Sequence, residues 1–276
     1  MNTEKRKKLL SLLTIPPPSV ESLPFVYSSV HFAGSSVAES AGRSFLGRVQ
    51  AALKDYGVFY GLLLDLVGPV MPLASYSSRL SRLLSSYSSE SIILNYGCGP
   101  RPISRRPDIL NADIFPFACV DLLVDPGPLP MRSCSVDLVL SIAVLEHVKD
   151  PGEMVSEIYR LLKPSGTAFC FIPFMQPIHS APGDFRRWTP EGLKELFSAF
   201  RLVNISVASG PSSSLSWIFA AWLASLLSFG SQRLFDLLYL ACLPLVSPLK
   251  LFDRLFPWMG KFSIAASGFY VICSKD

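Results

Sequence analysis

The sequence predicts an α/β protein built on a mainly parallel sheet. Between residues 91 and 209, apolar runs of strand length alternate with helical patterns, which is typical of parallel strands covered by helices. One of these runs leads directly into a Gly-x-Gly turn. Hydrophobic residues make up 50% of the 276 residues and charged residues 17%. The chain can therefore bury a full core and is not intrinsically disordered.

Residues 1–90 are predicted to form a helical cap and a tail. Apolar residues recur at helical spacing over 45–66, and a second short helix is predicted over 76–86. A basic stretch, Lys5 to Lys8, precedes a short apolar run that Pro16 ends. This run is too short for a signal peptide, so none is expected.

Residues 91–209 together with 267–276 are predicted to form the main domain. Its seven predicted strands cover residues 92–94, 109–112, 120–124, 136–140, 167–172, 202–207 and 269–273. Amphipathic helices are predicted over 152–162 and 190–200, with Thr189 as the N-cap of the second and Pro190 at its first position.

Residues 210–266 form an apolar insertion between the last two predicted strands. No charged residue occurs from 211 to 232, and the later run over 237–249 contains two prolines. A membrane-spanning helix needs about 20 apolar residues, and a single crossing would separate the last strand from its sheet. We expect a helical hairpin in one leaflet, and a homodimer interface or a buried helical subdomain is the alternative. The predicted interfacial anchors are Trp217, Trp222, Trp258, Arg233, Lys250, Arg254 and Lys261.

Charge and cysteine content narrow the classes of partner. The net charge of +4 comes without a clustered basic stripe, so no nucleic acid is expected. The six cysteines form no C-x-x-C pair, and none lies at metal-ligand spacing from one of the three histidines. The sequence thus predicts a reducing, cytoplasmic location, with association to a membrane through 210–266, and no metal site.

Residues at the predicted strand ends favour a nucleotide-like ligand. Gly97 and Gly99 follow the first strand of the main domain, where glycine lets the backbone turn sharply and approach a ligand. Asp113 closes the next strand and could accept both hydroxyls of a ribose. Asp125 closes the third and could accept from an adenine amino group. Turn or helix capping is the alternative role for either carboxylate.

Residues 91 to about 207 resemble the class I S-adenosylmethionine-dependent methyltransferases of the type 11 group. Six segments carry the resemblance, in order: Asn95-Tyr-Gly-Cys-Gly99; Asn111-Ala-Asp113; Asp125 with Leu129-Pro130; 135–141 followed by Val144-Leu-Glu-His147; Leu162-Lys-Pro-Ser-Gly166; and His179 with Asp184-Phe-Arg-Arg-Trp-Thr189. The resemblance implies a Rossmann-like seven-stranded sheet whose last two strands pair antiparallel. It also implies S-adenosylmethionine as the cofactor, bound by Asn95, Gly97, Cys98, Gly99, Asp113, Asp125 and Ser141.

The acceptor side is expected to use the segment after the fifth predicted strand. His179 is the candidate catalytic base, and its alternative role is to position the loop. Asp184, Arg187 and Thr189 are candidates for substrate binding, or for a salt bridge and a cap within the loop. Glu146 is expected to be structural. The acceptor is expected to be a small molecule or a lipid-linked molecule.

One departure from the family pattern concerns the cofactor loop. Pro100 and Arg101 follow Gly99 where the family has a third glycine, and Pro102 and Pro107 exclude a long helix there. A methyltransferase-like scaffold or interaction protein without transfer activity is therefore the alternative. A dinucleotide oxidoreductase is disfavoured because that glycine and that helix are missing.

Overall fold

The computed structural model describes residues 3–15, 25–27, 65–100, 103–104, 106–179, 183–255 and 262–276. Within them, one eight-stranded sheet forms the centre of the protein. Its strands are β1 (Phe25–Tyr27), β2 (Ile93–Tyr96), β3 (Leu110–Asp113), β4 (Leu122–Val124), β5 (Val136–Ile142), β6 (Leu162–Pro173), β7 (Arg201–Ser209) and β8 (Gly268–Ser274). The helices are α1 (Thr3–Leu12), α2 (Ala74–Ser85), α3 (Pro151–Leu161), α4 (Pro190–Leu196), α5 (Pro211–Leu227), α6 (Gln232–Val246) and α7 (Phe252–Leu255), with 3-10 turns at Leu145–His147, Ser247–Leu251 and Phe262–Ala265.

The strand order confirms the predicted fold class. The strands lie in the order β1-β4-β3-β2-β5-β6-β8-β7. The pairs from β1 to β6 are parallel, and β8 lies antiparallel between β6 and β7. All seven predicted strands are present, and the two last in sequence form the expected antiparallel edge.

An additional strand comes from the N-terminal segment. β1 pairs parallel to β4, with Phe25 opposite Leu122, and the Phe25 side chain is fully buried. Three residues are too few to show a strand period, so the sequence pattern did not indicate it. Leu9 of α1 is also buried in the core of the sheet. Part of residues 1–90 is thus integral to the sheet, while the helix predicted over 45–66 lies, up to residue 64, outside the described residues.

Helices cover both faces of the sheet. On one face, Leu9 of α1, Ile158 of α3 and Leu193 of α4 belong to a single apolar cluster. On the other face, Tyr76 of α2 packs on Phe169 with 5.6 Å between ring centroids. α3 begins with Asp150 as its N-cap, and α4 has the predicted cap, with the Thr189 hydroxyl accepting from the Gly192 amide. Both helices begin with proline at the first position, where its missing N–H costs nothing.

The insertion folds as a helical hairpin between β7 and β8. α5 and α6 pack through Ala220, Cys242 and Val246. The helical stretch Gln232–Leu255 is 24 residues long with a mean hydropathy of 1.6, enough to cross a membrane by length and composition. The two prolines of the run over 237–249 do not interrupt it, because the helical backbone continues through Pro244 and a 3-10 turn contains Pro248. Length and composition do not by themselves separate a span from a buried helix.

Two buried charges hold the base of the hairpin. The Asp253 carboxylate is fully buried and accepts from the amides of Ser212 and Ser213 at 2.8 Å and from the Ser213 hydroxyl at 2.7 Å. It therefore satisfies donors that the first turn of α5 leaves unpaired. Lys250 Nζ donates to the carbonyls of Asp65, Leu66 and Gly68. Burial lowers the pKa of Lys250, and the nearby Asp65 carboxylate partly offsets this.

The structure corrects two of the predicted interfacial anchors. Lys250 is only 3% exposed, and Trp217 donates from Nε1 to the Tyr239 hydroxyl at 2.6 Å between the two helices. Both side chains therefore face the protein. The other described anchors, Trp222, Arg233 and Arg254, are exposed. Trp258 and Lys261 lie outside the described residues.

Candidate functional site

The candidate cofactor site lies at the carboxyl ends of neighbouring parallel strands. β2 leads into Gly97, β3 ends on Asp113, β4 leads into Asp125 and β5 contains Ser141 near its end. Parallel strands bring these ends to one edge of the sheet, where ligands bind in open α/β folds. The structure thus brings the predicted cofactor residues to one edge.

The Gly-Cys-Gly turn has a backbone that only glycine adopts readily. The φ angles are +77° at Gly97 and +61° at Gly99. A Cβ on Gly97 would lie 2.6 Å from Val144 Cγ2, whereas a Cβ on Gly99 would meet nothing within 4 Å. Gly97 is therefore required by packing, and the space beside Gly99 is open for a ligand.

Asp113 is buried at the end of β3 and holds this turn. Its Oδ2 accepts from the Gly99 amide at 2.7 Å, and its Oδ1 accepts from the Phe115 amide at 2.9 Å. Burial raises the pKa of Asp113, and these backbone hydrogen bonds offset part of the rise. Each carboxylate oxygen has a further lone pair, so the group could still accept from a ligand hydroxyl.

The remaining predicted cofactor residues differ in their surroundings. Asn95 is buried and donates from Nδ2 to Asn111 Oδ1 at 3.1 Å. Cys98 is buried in the turn, and Asp125 is partly exposed after β4. Ser141 is buried, and its hydroxyl has no hydrogen-bond partner among the described residues. An unsatisfied hydroxyl at a strand end fits a polar ligand that would supply the missing bond.

The departure at Pro100 has the expected structural effect. Of the described residues between β2 and β3, none is helical. A helix N-terminus that would face the cofactor is absent from this part of the described chain, so binding would depend on Asp113 and the turn. Arg101 lies outside the described residues.

On the acceptor side, two segments bring three polar side chains together. The 3-10 turn Leu145–His147 follows β5, and His179 lies six residues beyond the end of β6. Backbone bonding ties the segments, with the Phe185 amide donating to the Glu146 carbonyl at 2.8 Å. His147 Nε2 lies 3.7 Å and His179 Nε2 3.8 Å from Glu146 Oε1. The two imidazole rings meet edge to face at 5.4 Å.

The three predicted substrate-binding residues have contacts within their own loop. Asp184 pairs with both terminal nitrogens of Arg187 and accepts from the His179 amide at 3.0 Å. Burial acts to raise the pKa of Asp184, but the bonds from Arg187 and the His179 amide outweigh it, and the pKa lies below its usual value. Thr189 caps α4. The structure therefore shows each of these side chains in a contact within its own loop or at the start of α4.

An open apolar cleft lies next to His179. It has a volume of about 420 Å³ and is lined by residues 174–177 after β6 and by Ile218, Ala221, Trp222 and Ser225 of α5. The His179 ring packs on Trp217 with 5.4 Å between centroids. The insertion thus forms one wall of the cleft, beside the histidine predicted to act on the acceptor.

Glu146 has surroundings that the sequence does not indicate. It was expected to be structural, yet its carboxylate is fully buried with both oxygens lacking a hydrogen-bond partner among the described residues. The only available signal was its position next to His147 in a strand-exit loop. Glu146 and His179 are 33 positions apart in the sequence, so no local pattern indicates the cluster.

Comparison with known proteins gives a family match for part of the chain. Residues 110–170 match the family model described as "Methyltransferase domain". No curated protein matches the sequence significantly.

Solved structures with related folds show low similarity. The [4+2]-cyclase SpnF is 18% identical, with 80% of this chain and 95% of the cyclase covered and a TM-score of 0.44. The 1,6-didemethyltoxoflavin-N1-methyltransferase of Burkholderia thailandensis is 13% identical, with 87% and 91% covered and a TM-score of 0.46. Phosphoethanolamine N-methyltransferase 2 of Haemonchus contortus is 15% identical, with 73% and 52% covered and a TM-score of 0.43. Similarity at this level says nothing about the acceptor of this chain.

The match over 110–170 covers β3 to β6, including Asp113, Asp125, Ser141 and the 3-10 turn with Glu146. These are central segments of the resemblance that the sequence predicted. Residues 110–170 therefore match a methyltransferase domain, in agreement with the predicted resemblance to the class I methyltransferases of the type 11 group.

Proposed function

We propose that the protein transfers a methyl group from S-adenosylmethionine to an apolar or lipid-linked acceptor. The observation that carries the proposal is the apolar cleft between α5 and the segment after β6: Pro177 lines it two residues before His179, whose ring packs on Trp217 of α5. An acceptor with an apolar portion would fit this cleft.

The cofactor would be held by the residues at the strand ends. Asp113 would accept from the ribose hydroxyls, and Asp125 from the adenine amino group. The open space beside Gly99 would admit the ligand backbone, and the Ser141 hydroxyl would gain a partner. Bound S-adenosylmethionine supplies an electrophilic methyl group on a sulfonium. The protein then has to align the acceptor atom with it and exclude water.

His179 is the proposed catalytic residue on the acceptor side. Its side chain is 29% exposed. The hydrogen bond from its backbone amide to the Asp184 carboxylate and the contact with the Trp217 ring set its position. Asp184, Arg187 and Thr189 act in this proposal by holding the loop. Substitution of these residues would therefore reduce methylation of the acceptor more than binding of the cofactor.

Calorimetry with S-adenosylhomocysteine tests cofactor binding. We expect one site per chain, because the cradle at the strand ends is formed within a single chain. Absence of binding at millimolar ligand would contradict the proposal and favour the scaffold without activity. Binding that is unchanged in His179→Ala, together with loss of methyl transfer to an acceptor in that variant, would assign the histidine to the acceptor side.

We further propose that the hairpin seats on a lipid bilayer surface. One face of α5 carries exposed apolar side chains at helical spacing, and no charge interrupts residues 211–232. The exposed apolar side chains on α5 are Leu215, Ile218, Phe219, Trp222 and Leu226. The exposed side chains of Arg233 and Arg254 would lie near anionic headgroups. A surface of this kind would bring the cleft to a lipid-linked acceptor, and a second copy of the chain is the alternative occupant.

Flotation with anionic phospholipid vesicles tests this seating. We expect the full chain to float with the vesicles and the double variant Leu215→Lys/Leu226→Lys to remain in the soluble fraction. Both leucines are more than half exposed, at 56% and 58%, so the fold should tolerate the change. Ile15→Lys is the control, since Ile15 is 59% exposed and precedes β1 at the other edge of the sheet. A soluble wild type would exclude the bilayer, and a dimer that the double variant dissociates would identify the second copy.

A further inference from the structure

The cluster of Glu146, His147 and His179 has the composition of a metal site. One ligand atom from each of the three side chains lies within 4.8 Å of the others. Two of these residues come from the 3-10 turn after β5, and the third comes from the loop after β6. The sequence predicted no metal because it has only three histidines and none lies at ligand spacing from a cysteine, but the fold brings two of the histidines together with Glu146.

The state of Glu146 indicates a missing partner. Its side chain is fully buried, and neither carboxylate oxygen has a hydrogen-bond partner among the described residues. Burying an ionised carboxylate is costly unless a cation or several donors compensate. The Nε2 atoms of His147 and His179 lie 3.7 and 3.8 Å from Oε1, beyond hydrogen-bond distance. Ligand atoms bound tetrahedrally to one zinc ion lie about 3.4 Å apart.

The other ring nitrogen of each histidine is occupied by a hydrogen-bond acceptor. His147 Nδ1 donates to the Gly183 carbonyl. In the tautomer with its proton on Nδ1, His179 donates to the Pro177 carbonyl at 3.2 Å; Asp184 Oδ2 lies 3.6 Å and the Arg187 guanidinium 3.4 Å from the same nitrogen. A proton on Nδ1 leaves a lone pair on Nε2, which on both rings faces Glu146. Such second contacts are what orient histidine ligands in metal sites.

We propose that Glu146, His147 and His179 bind a divalent transition-metal ion, with zinc the best match. Two imidazole nitrogens and one carboxylate form the three-ligand set of catalytic zinc sites, which keep a further position open. Magnesium prefers oxygen ligands and fits this set poorly.

The catalytic role of the metal ion, unlike metal binding itself, rests on the proposed function. An open coordination position beside the apolar cleft would let the metal act as a Lewis acid on an acceptor oxygen and ease loss of its proton. His179 would then contribute as a ligand rather than as the general base predicted from the sequence. The metal site itself is tested without cofactor or acceptor.

Metal binding is measured on the full chain after treatment with a chelator. Titration with zinc by calorimetry is expected to give one ion per chain. Glu146→Gln and His147→Gln are expected to weaken zinc binding by about 100-fold or more, because each removes a ligand. His31→Gln is the matched control, since it removes the remaining histidine of the sequence. Equal zinc affinity in Glu146→Gln and the wild type would overturn the proposal, as would no binding.

Two further readouts separate this site from thiol binding and from misfolding. Cobalt substitution is expected to give a visible spectrum of nitrogen and oxygen ligands without a thiolate charge-transfer band; such a band would assign the ion to cysteines and overturn the proposal. Without metal, Glu146→Gln should melt at or above the wild-type temperature, because it removes an uncompensated charge. Zinc should raise the melting temperature of the wild type but not that of Glu146→Gln. Cofactor binding measured in the presence of chelator tests the proposed function independently.

Discussion

Asp113→Ala is expected to weaken binding of S-adenosylhomocysteine about 100-fold. A carboxylate that accepts from two ribose hydroxyls contributes more than a neutral pair, and hydrogen bonds to charged groups are each worth about 1.5–3 kcal/mol. The affinity is measured by calorimetry on the purified full chain. An unchanged dissociation constant would mean that the ribose lies elsewhere.

Loss of affinity alone would not identify the contact, because Asp113 also holds the turn. Its oxygens accept from the amides of Gly99 and Phe115, so the variant could loosen the loop. A ligand lacking both ribose hydroxyls separates the two roles. Wild type should lose about 100-fold in affinity for this analogue, and Asp113→Ala should bind both ligands equally. If both proteins lose the same factor of affinity between S-adenosylhomocysteine and the analogue, Asp113 supports only the loop.

The same contact has a defined pH dependence. In the proposed contact, ribose hydroxyls would donate to the ionised carboxylate, so affinity should fall when Asp113 takes up a proton. Burial raises the pKa of Asp113 above its usual value, so the fall should begin at a higher pH than for an exposed aspartate. Asp113→Asn should remove this pH dependence while keeping the side-chain size.

Asp253→Ala is expected to destabilise the protein by about 3–5 kcal/mol. The substitution leaves three buried donors of Ser212 and Ser213 without an acceptor, each costing about 1–3 kcal/mol. It also removes a negative charge from the N-terminus of α5. Unfolding by urea, followed by circular dichroism, measures the free energy.

Asp150→Ala is the matched control for this loss. Asp150 also caps a helix, α3, but it is exposed and accepts from one amide, that of Glu153 at 3.1 Å. Its removal should cost about 1 kcal/mol, typical of an N-cap. If the two variants lose equal stability, burial of Asp253 does not matter and the base of the hairpin is held by other contacts.

The hydrophobic periodicity of the sequence predicted the sheet well. Each predicted strand is a run of apolar residues that alternates with helices, and burial on both faces of a parallel sheet requires such runs. The cap of α4 was equally predictable, because Thr189 and Pro190 act within one turn. The short strand β1 was not, since its stability comes from pairing with β4 rather than from a local pattern.

The candidate site also combines residues that the sequence predicts with contacts that it does not. Asp113 and the Gly97 turn were predictable because they adjoin strands in sequence. Trp217 was expected at a membrane interface but lies between Tyr239 and His179, because the hairpin folds back on the loop after β6. Lys250 was expected there too, but its ammonium group donates to three backbone carbonyls of residues 65–68.

The sequence by itself determined the α/β class, the order of the strands along the chain, the resemblance of the domain to methyltransferases and the position of the apolar insertion. These properties follow from local patterns, which survive without knowledge of distant contacts. Only the tertiary structure decided that Glu146, His147 and His179 meet, and that α5 forms the wall of the cleft beside them. Such contacts join residues far apart in sequence, and they depend on how the loops after β5 and β6 pack against the hairpin.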